Sequence, residues 1–207
     1  ERDGEPEGWH RIHFSYDKNN HLNVVKDDFG AKMRYDYDCL GNVTLEERVI
    51  ADGVHSVIHY AYNKNGWLVQ RTEEIQGNGP VQAAVTRYAY DANGNLTAAT
   101  DRNGHTTRYA YDAENRLIRM EDAEGSTTSY TYDANGQMTK TTSAMGAETS
   151  STYDALGRQI SSADALGHVT GYEYDVLGRA TKITHADGGF VAYTYDANGQ
   201  VLTATDE

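Results

Sequence analysis

The alternation of residues between evenly spaced turn signals predicts β-strands along most of the chain. Gly or Asn recurs at steps of 10 and 11 residues from Gly94 to Gly199, and most of these residues follow an Asp by three positions. Asp at the first position of a turn can bond the backbone two residues on, and Gly or Asn at the fourth accepts a left-handed conformation. Each such signal predicts a three-residue hairpin loop. The structural turn Asp residues are Asp91, Asp112, Asp133, Asp154, Asp175 and Asp196, and their Gly or Asn partners are Gly94, Asn115, Gly136, Gly157, Gly178 and Gly199.

Six or seven residues separate successive turns, which is an ordinary strand length. In segment 107–111, Thr107, Tyr109 and Tyr111 should face one side of a sheet, and Arg108 and Ala110 the other. One face is therefore predicted to carry a Tyr stripe, which comprises Tyr88, Tyr90, Tyr109, Tyr111, Tyr130, Tyr132, Tyr172, Tyr174, Tyr193 and Tyr195.

Across each hairpin, the stripe should meet aliphatic residues. Tyr111 is expected to face Leu117, and aromatic–aliphatic pairs of this kind stabilise a sheet by roughly 0.2–1 kcal/mol each. Gln159 and Ala180 interrupt the aliphatic positions, so Ile160 and Ile183 are expected to pack elsewhere.

The pair Tyr-Asp repeats at a fixed period, which indicates one continuous repeat array. From Tyr90 to Tyr195 every step is 21 residues, whereas the copies at Tyr16, Tyr37 and Tyr62 are less regular. The sequence thus divides into less regular repeats over 1–75, an insert loop over 76–84 and regular repeats over 85–207. Helices have no room between turns this close, so the predicted fold is all-β, with tandem antiparallel hairpins.

Composition and net charge limit the classes of function that the chain can have. The net charge of −13 argues against a nucleic-acid or anionic-membrane surface, and no apolar run is long enough for a membrane-spanning helix. Sixteen Tyr residues favour an ordered sheet over a solvated coil. A single cysteine, Cys39, cannot form an internal disulfide.

Each residue that could bind a metal ion or act in catalysis also has a simpler explanation. The periodic Asp residues can be read as metal ligands, but a turn role accounts for their fixed distance from Gly, and one Asp per hairpin is too few for Ca²⁺. His10 and His13 lie close in sequence without a third ligand nearby, and Cys39 lies in a turn without a neighbouring base. We therefore expect no catalytic residue, no metal site and no cofactor, and hence no enzyme.

The segments at 111–120, 153–160 and 174–184 resemble the Tyr-Asp (YD) or Rhs repeat, and the resemblance extends over roughly residues 14–205. That family includes bacterial Rhs proteins, wall-associated proteins, cocoon-forming subunits of toxin complexes and teneurins. The resemblance implies a long curved or spiralling sheet that forms part of a shell around a toxin or another polypeptide, in a secreted or cell-surface protein. Asn63 in place of Asp, Ser151 in place of Tyr and the insert around Gly79 depart from the pattern, and the Pro- and Asp-rich motif resembling a self-cleavage site is missing.

The sequence therefore favours a non-catalytic structural segment whose partner is polypeptide cargo. The alternative is a carbohydrate-binding or adhesive surface module, in which rings of the Tyr stripe stack on sugars. A strip cut at Glu1 and Glu207 would expose sheet edges, so we also expect some edge-to-edge self-association.

Overall fold

The computed structural model describes residues 11–27, 32–51, 53–76 and 81–207, and within these ranges it consists of strands and turns. The described strands are β1 (Ile12–Tyr16), β2 (Leu22–Asp27), β3 (Lys32–Tyr37), β4 (Val43–Ala51), β5 (Val54–Tyr62), β6 (Leu68–Gln76), β7 (Gln82–Tyr90), β8 (Leu96–Thr100), β9 (Thr106–Tyr111), β10 (Leu117–Glu121), β11 (Thr127–Tyr132), β12 (Met138–Thr142), β13 (Glu148–Tyr153), β14 (Gln159–Ala163), β15 (Val169–Tyr174), β16 (Ala180–Thr184), β17 (Phe190–Tyr195) and β18 (Val201–Asp206).

Two compact units divide the chain, Glu1–Thr107 and Arg108–Glu207. In the first unit, each strand from β1 to β8 pairs antiparallel with the next. In the second, the same holds from β9 to β18. The all-β fold of tandem antiparallel hairpins is confirmed, while the curvature of the sheet and a single continuous array stay predictions.

The predicted insert loop at 76–84 is shorter than expected. Gln76 ends β6 and β7 begins at Gln82, so strands extend into both ends of that segment. Residues 77–80, with Gly79, lie outside the described ranges, as does His10.

Each hairpin that follows a Tyr-Asp pair contains a β-bulge directly after its turn. In β9 and β10, Tyr111 lies opposite Leu117, but the next pair is Ala110 with Arg119, so Ile118 is the extra residue. A bulge leaves one residue unpaired and increases the local twist. The strand after the turn therefore presents Leu117 and then Met120 to the Tyr stripe.

This bulge corrects one sequence prediction. Ile183 lies opposite Tyr172 and so belongs to the stripe instead of packing elsewhere. Ile160 occupies the bulge position and is exposed. A strict two-residue alternation misassigned Ile183, because the bulge shifts every later side chain by one position.

The two faces of the hairpins differ in chemistry. The side chains of the Tyr stripe are half-buried, whereas Ala110, Thr131, Thr152, Glu173 and Thr194 on the other face are exposed. The exposed face carries hydroxyl pairs, for example Thr152 with Ser161 at 2.7 Å between their oxygens. Val57 is the one buried hydrophobic residue in the described ranges. These hairpins therefore form a single layer with two solvent-facing sides.

Candidate functional site

The Tyr-Asp turns, which join each odd-numbered strand to the following even-numbered strand, are the most regular feature of the molecule. They occupy residues 17–21, 38–42, 63–67, 91–95, 112–116, 133–137, 154–158, 175–179 and 196–200. Because the strands are antiparallel, these turns lie along one edge within each unit and the remaining turns lie along the other.

The Asp that begins each turn holds the loop closed. In the turn at 154–158, the Asp154 Oδ1 atom accepts the backbone N–H groups of Leu156 at 2.9 Å and Arg158 at 3.0 Å. Gly157 donates its backbone N–H to the Asp154 carbonyl at 3.0 Å and adopts a φ of 84°. The same Oδ1 contacts, at 2.8–3.0 Å, occur at Asp91, Asp112, Asp133, Asp175 and Asp196. Asn115 fills the left-handed position of its turn with a φ of 63°.

These bonds favour the ionised carboxylate. The backbone hydrogen bond from Arg158, followed by the bond from the Arg158 side chain, lowers the pKa of Asp154. At Asp175 the backbone bond from Arg179 lowers the pKa, with partial burial of the carboxylate opposing it. The lowered pKa values therefore follow from turn formation and require no catalytic role.

In seven copies, the tyrosine directly before the turn links its hairpin to the preceding one. The Tyr132 hydroxyl donates to the Leu117 carbonyl at 2.8 Å, across the interface between β10 and β11. Equivalent bonds of 2.5–2.9 Å run from Tyr37 to Leu22, Tyr62 to Val43, Tyr90 to Leu68, Tyr153 to Met138, Tyr174 to Gln159 and Tyr195 to Ala180. Burial raises the pKa of the Tyr62 and Tyr90 hydroxyls.

In three hairpins of the second unit, an arginine four residues after the turn Asp links the hairpin to the following one. The Arg158 Nε atom donates to Asp154 Oδ2 at 2.7 Å, and its Nη1 atom donates to the Asp175 carbonyl of the next turn at 3.0 Å. The guanidinium carbon lies 4.8 Å from the centre of the Tyr174 ring, within the range of a cation–π contact. Arg116 and Arg179 repeat the arrangement on Tyr132 and Tyr195, at 5.0 Å and 4.5 Å.

Other side chains at this position also reach the next turn. The Gln137 Nε2 atom donates to the Gly157 carbonyl at 2.9 Å. The Trp67 ring lies 5.5 Å from the Tyr90 ring, and the His21 ring lies 4.7 Å from that of Tyr37. The last position of the turn thus links successive repeats through several chemistries, whereas Asn42 and Asn95 at the same position bond the Asp of their own turn.

The first tyrosine of each copy lies on the same face but makes different contacts. Tyr109 lies opposite Met120, Tyr172 opposite Ile183 and Tyr193 opposite Ala204. In the copy at 148–163 the stripe is interrupted, because Ser151 lies opposite Ser162. Gln159 fills part of this gap and donates to the Ser151 hydroxyl at 2.8 Å.

Side chains that could bind a metal ion lie apart from one another in the part of the chain that the structure describes. The described residues contain no cluster of three or more His, Cys, Asp or Glu side chains that could hold a metal ion. Cys39 is exposed in its turn, and His168 contacts Asp164 at the opposite edge, at 2.9 Å. No helix in the described ranges is long and apolar enough to cross a membrane.

Sequence reasoning located the turn Asp and Gly residues but missed the links between repeats. Arg158 forms an ion pair with Asp154 in its own hairpin and also reaches the next hairpin. The recurrence of a long polar or aromatic side chain four residues after Asp is the signal that marks this position. Within each unit, these contacts form a row along one edge that fastens hairpins side by side.

Comparison with protein families gives a direct match. The family model described as the RHS repeat matches residues 90–120, 111–148, 153–189 and 177–207, which together exceed half of the chain. Among curated proteins, no sequence matches significantly.

Several solved structures with a similar fold belong to Tc toxin complexes. A crystal structure of TcdB2-TccC3 without its hypervariable C-terminal region matches with a TM-score of 0.58 and 17% identity, over 93% of this chain and 13% of that one. TcdB2-TccC3-Cdc42 matches with a TM-score of 0.56 and 16% identity, over 93% of this chain and 13% of that one. The Tc holotoxin pore of Photorhabdus luminescens, with a substitution in TccC3, gives 0.57 and 17%, over 93% and 12%. The chain thus spans about one eighth of these chains, and the likeness is one of fold.

Proposed function

Because the chain belongs to the RHS repeat family, we propose that it is a non-catalytic segment in the wall of a shell that encloses a toxin or another polypeptide. The shell would be part of a larger secreted or surface-exposed protein. The wall acts by enclosure: it keeps proteases away from the cargo and holds the cargo inactive until release.

The observation that carries this proposal is the row of links between hairpins. The tyrosine before the turn bonds the preceding repeat in seven copies, and Arg116, Arg158 and Arg179 bond the following one. Hydrogen bonds to charged groups contribute about 1.5–3 kcal/mol each, and a repeated contact resists separation of any pair of strands. A wall needs this continuity along its whole length more than it needs a pocket.

The two unlike faces also support a wall. A single layer of strands exposes the half-buried Tyr stripe on one side and a Thr-, Ser- and charge-bearing surface on the other. A globular domain would cover its aromatic face with a second layer. A layer that separates two compartments instead presents one face to each.

The test is made in the complete protein that contains this chain. Deletion of residues 90–205 should make the enclosed polypeptide accessible to protease, measured as the cleavage rate of the cargo relative to the intact protein. Cargo that stays fully protected after the deletion would contradict the proposal.

A gentler variant controls for misfolding. Combined substitution of Arg116, Arg158 and Arg179 by Gln retains a donor at each position but removes the cation over the ring. Cleavage of the cargo should rise several-fold while the circular dichroism of the β-sheet is retained. Substitution of the exposed residues Arg102 and Lys18, which lie in turns, should leave the cleavage rate unchanged.

A second candidate function is carbohydrate binding, and one observation favours it. The hydroxyls of Tyr88, Tyr109, Tyr130 and Tyr193 make no hydrogen bond to any described residue, in contrast to the second tyrosine of each copy. Amphipathic rings with available hydroxyls suit stacking on sugars. Binding on a glycan array that is lost in Tyr109→Ala combined with Tyr130→Ala would support this function, and an array without binding would remove it.

A further inference from the structure

The turn at 143–147, which joins β12 to β13, is closed by fewer side-chain bonds than its two neighbours on the same edge. Asp122 and Asp164 begin those neighbours, and each accepts two backbone N–H groups at 2.8–3.1 Å through Oδ1. Ser143 begins the turn at 143–147, and within the described residues its hydroxyl oxygen accepts the Ala147 N–H alone, at 3.1 Å. A neutral hydroxyl also bonds an N–H group less strongly than a carboxylate does. This turn therefore has the weakest closure of the three.

The strand that follows this turn is also less covered than its counterparts. Residues 148–150 of β13 are exposed, whereas the equivalent residues 127–129 of β11 and 190–192 of β17 are half-buried. Less buried area means less stabilisation of the strand by its surroundings.

A missing aromatic ring explains part of this exposure. Ser151 of β13 stands where β11, β15 and β17 carry Tyr130, Tyr172 and Tyr193. The side chain of Gln159 bonds the Ser151 hydroxyl at 2.8 Å, but Gln159 belongs to β14. That bond therefore holds β13 to β14 and leaves the seam between β12 and β13 without support from this position.

The seam between β12 and β13, formed by residues 140–142 and 148–150, buries little apolar surface. On the stripe face Thr141 lies opposite Thr149, whereas two aliphatic residues meet at the equivalent place between β16 and β17. The Ser143 N–H donates to the Ala147 carbonyl at 2.8 Å, so the alternation of an antiparallel ladder directs the N–H groups of Thr141 and Thr149 across the seam.

An ion pair crosses the other face of the seam but adds little to it. Lys140 Nζ lies 2.5 Å from Glu148 Oε1, and the two side chains are 41% and 51% exposed. Exposed ion pairs contribute little to stability because water screens them.

The far end of the seam is held more firmly. The Tyr153 hydroxyl donates to the Met138 carbonyl at 2.9 Å, and Gln137 Nε2 donates to the Gly157 carbonyl at 2.9 Å. Separation that begins at the turn 143–147 therefore stops at the bond between Tyr153 and Met138.

We propose that the seam between β12 and β13 opens before the seams on either side of it, β10–β11 and β14–β15, and that an endoprotease cuts the second unit first at the turn 143–147. Met145 is 95% exposed, and Ala144, Gly146 and Ala147 around it are small. Exposed loop tips of small residues are preferred sites of proteolytic cutting, and local opening of the adjoining strands provides the extended chain that a protease binds. The opening follows from the residues of the hairpins and does not depend on what the wall encloses.

Hydrogen exchange tests the order of opening. In the complete protein that contains this chain, the amides of Thr141 and Thr149 should exchange at least about tenfold faster than those of Met120 and Thr128, which cross the equivalent seam, because one charge-assisted bond is missing. Fragmentation mass spectrometry assigns the exchange to these residues. Equal exchange at both seams, or faster exchange between β10 and β11, would overturn the proposal.

Exchanging the first residue of two turns isolates the cause. Ser143→Asp supplies the missing acceptor and should slow exchange across β12–β13 about tenfold, whereas Asp164→Ser should speed exchange across β14–β15 by a similar factor. Ala144→Asp adds the same charge one position further along the turn and should leave the exchange across β12–β13 unchanged. If Ser143→Asp and Ala144→Asp behave alike, the closure of the turn does not control the seam.

Limited proteolysis locates the first cut. A protease of broad specificity should cut the second unit first within 143–147, and Ser143→Asp should slow this cut several-fold. Mass spectrometry of the fragments identifies the bond that is broken. A first cut at another turn of the second unit, with 143–147 intact, would contradict the proposal.

Discussion

The long-stranded hairpins of the first unit and the short-stranded hairpins of the second share a register but differ in what holds them together. Strands β4 to β7 are nine residues long each, and β5 pairs with β6 over eight residues. Strands β9 to β18 have five or six residues, and β13 pairs with β14 over four. The shorter ladders have fewer backbone hydrogen bonds, so the side-chain contacts at the turn edge contribute a larger share of the stability of those hairpins.

Chemistry at the linking position differs in the same way. In the first unit, the rings of Trp67 and His21 contact the next tyrosine. In the second, Arg116, Arg158 and Arg179 place a cation over that ring and a donor on the next turn. The repeat therefore fixes the position and geometry of this side chain, and either an aromatic ring or an arginine can occupy it.

The largest change in the free energy of unfolding is predicted for a substitution at the buried residue of the long hairpins. Val57 is 5% exposed and lies opposite Glu47 and Glu74. Val57→Asp buries an unpaired charge between two carboxylates and should lower the free energy of unfolding by at least about 3 kcal/mol. Hydrogen exchange measured by mass spectrometry should show protection lost first in β4 to β6.

Val169→Asp is the matched control in the short hairpins, because Val169 is 50% exposed. This variant should change the free energy of unfolding by about 0.5 kcal/mol or less. Equal destabilisation by the two variants would show that Val57 has no special role in the long hairpins.

The second effect compares a turn packed under a ring with an open turn. Gly94 has a φ of 92°, and a Cβ added there would lie 2.9 Å from Cζ2 of Trp67. Gly94→Ala should cost about 1–2 kcal/mol for the left-handed backbone and about 1 kcal/mol more for the overlap. Thermal unfolding gives the measurement.

Gly178 provides the control in the second unit. Its φ is 83°, and a Cβ there would meet no atom within 4 Å. Gly178→Ala should therefore show the backbone cost alone. If the two variants unfold alike, the ring of Trp67 does not restrict the next turn.

The third effect exchanges the linking chemistry between neighbouring repeats. Arg158→Gln removes the cation from the Tyr174 ring and should cost about 1 kcal/mol. The opposite change, Gln137→Arg, should stabilise the chain by a few tenths of a kcal/mol. The new guanidinium would pair with Asp133 and lie over the ring of Tyr153. Denaturant unfolding at low and high salt distinguishes the charge contribution, and stability that does not change in either variant would contradict the proposed link.

Local chemistry explains what the sequence could predict. Asp154 and Gly157 lie within one turn, so their roles follow from residue type and spacing alone. The pairing of Tyr111 with Leu117 likewise follows from the type of turn at 112–116 that joins their strands. The links from Tyr132 to Leu117, or from Arg158 to the next turn, depend on how adjacent hairpins twist, and spacing does not encode that.

The β-bulge after each turn could not be predicted from the sequence for a related reason. Six or seven residues between turns accommodate either a straight strand or a bulged one, and Ile118 and Ile160 are apolar like true stripe residues. Only the observed register shows that Met120, and in its own copy Ile183, returns to the Tyr stripe.

The smallest predicted effect is a pH dependence, which should distinguish turns that begin with Asp from the turn that begins with Asn63. In the second unit, hydrogen bonding from Arg158 lowers the pKa of Asp154 in the folded chain. A lowered folded pKa means that the carboxylate stabilises the turn above the unfolded value of about 3.9, and that this contribution is lost as the pH falls through the folded pKa. In the first unit, Asn63 accepts the Asn65 N–H at 2.9 Å through an amide that does not titrate. Between about pH 6 and pH 2, the exchange protection of the Leu156 N–H, which bonds Asp154, should therefore fall relative to that of the Asn65 N–H. Protection that falls equally at both amides would mean that acid opens the hairpins by another route than the turn carboxylates.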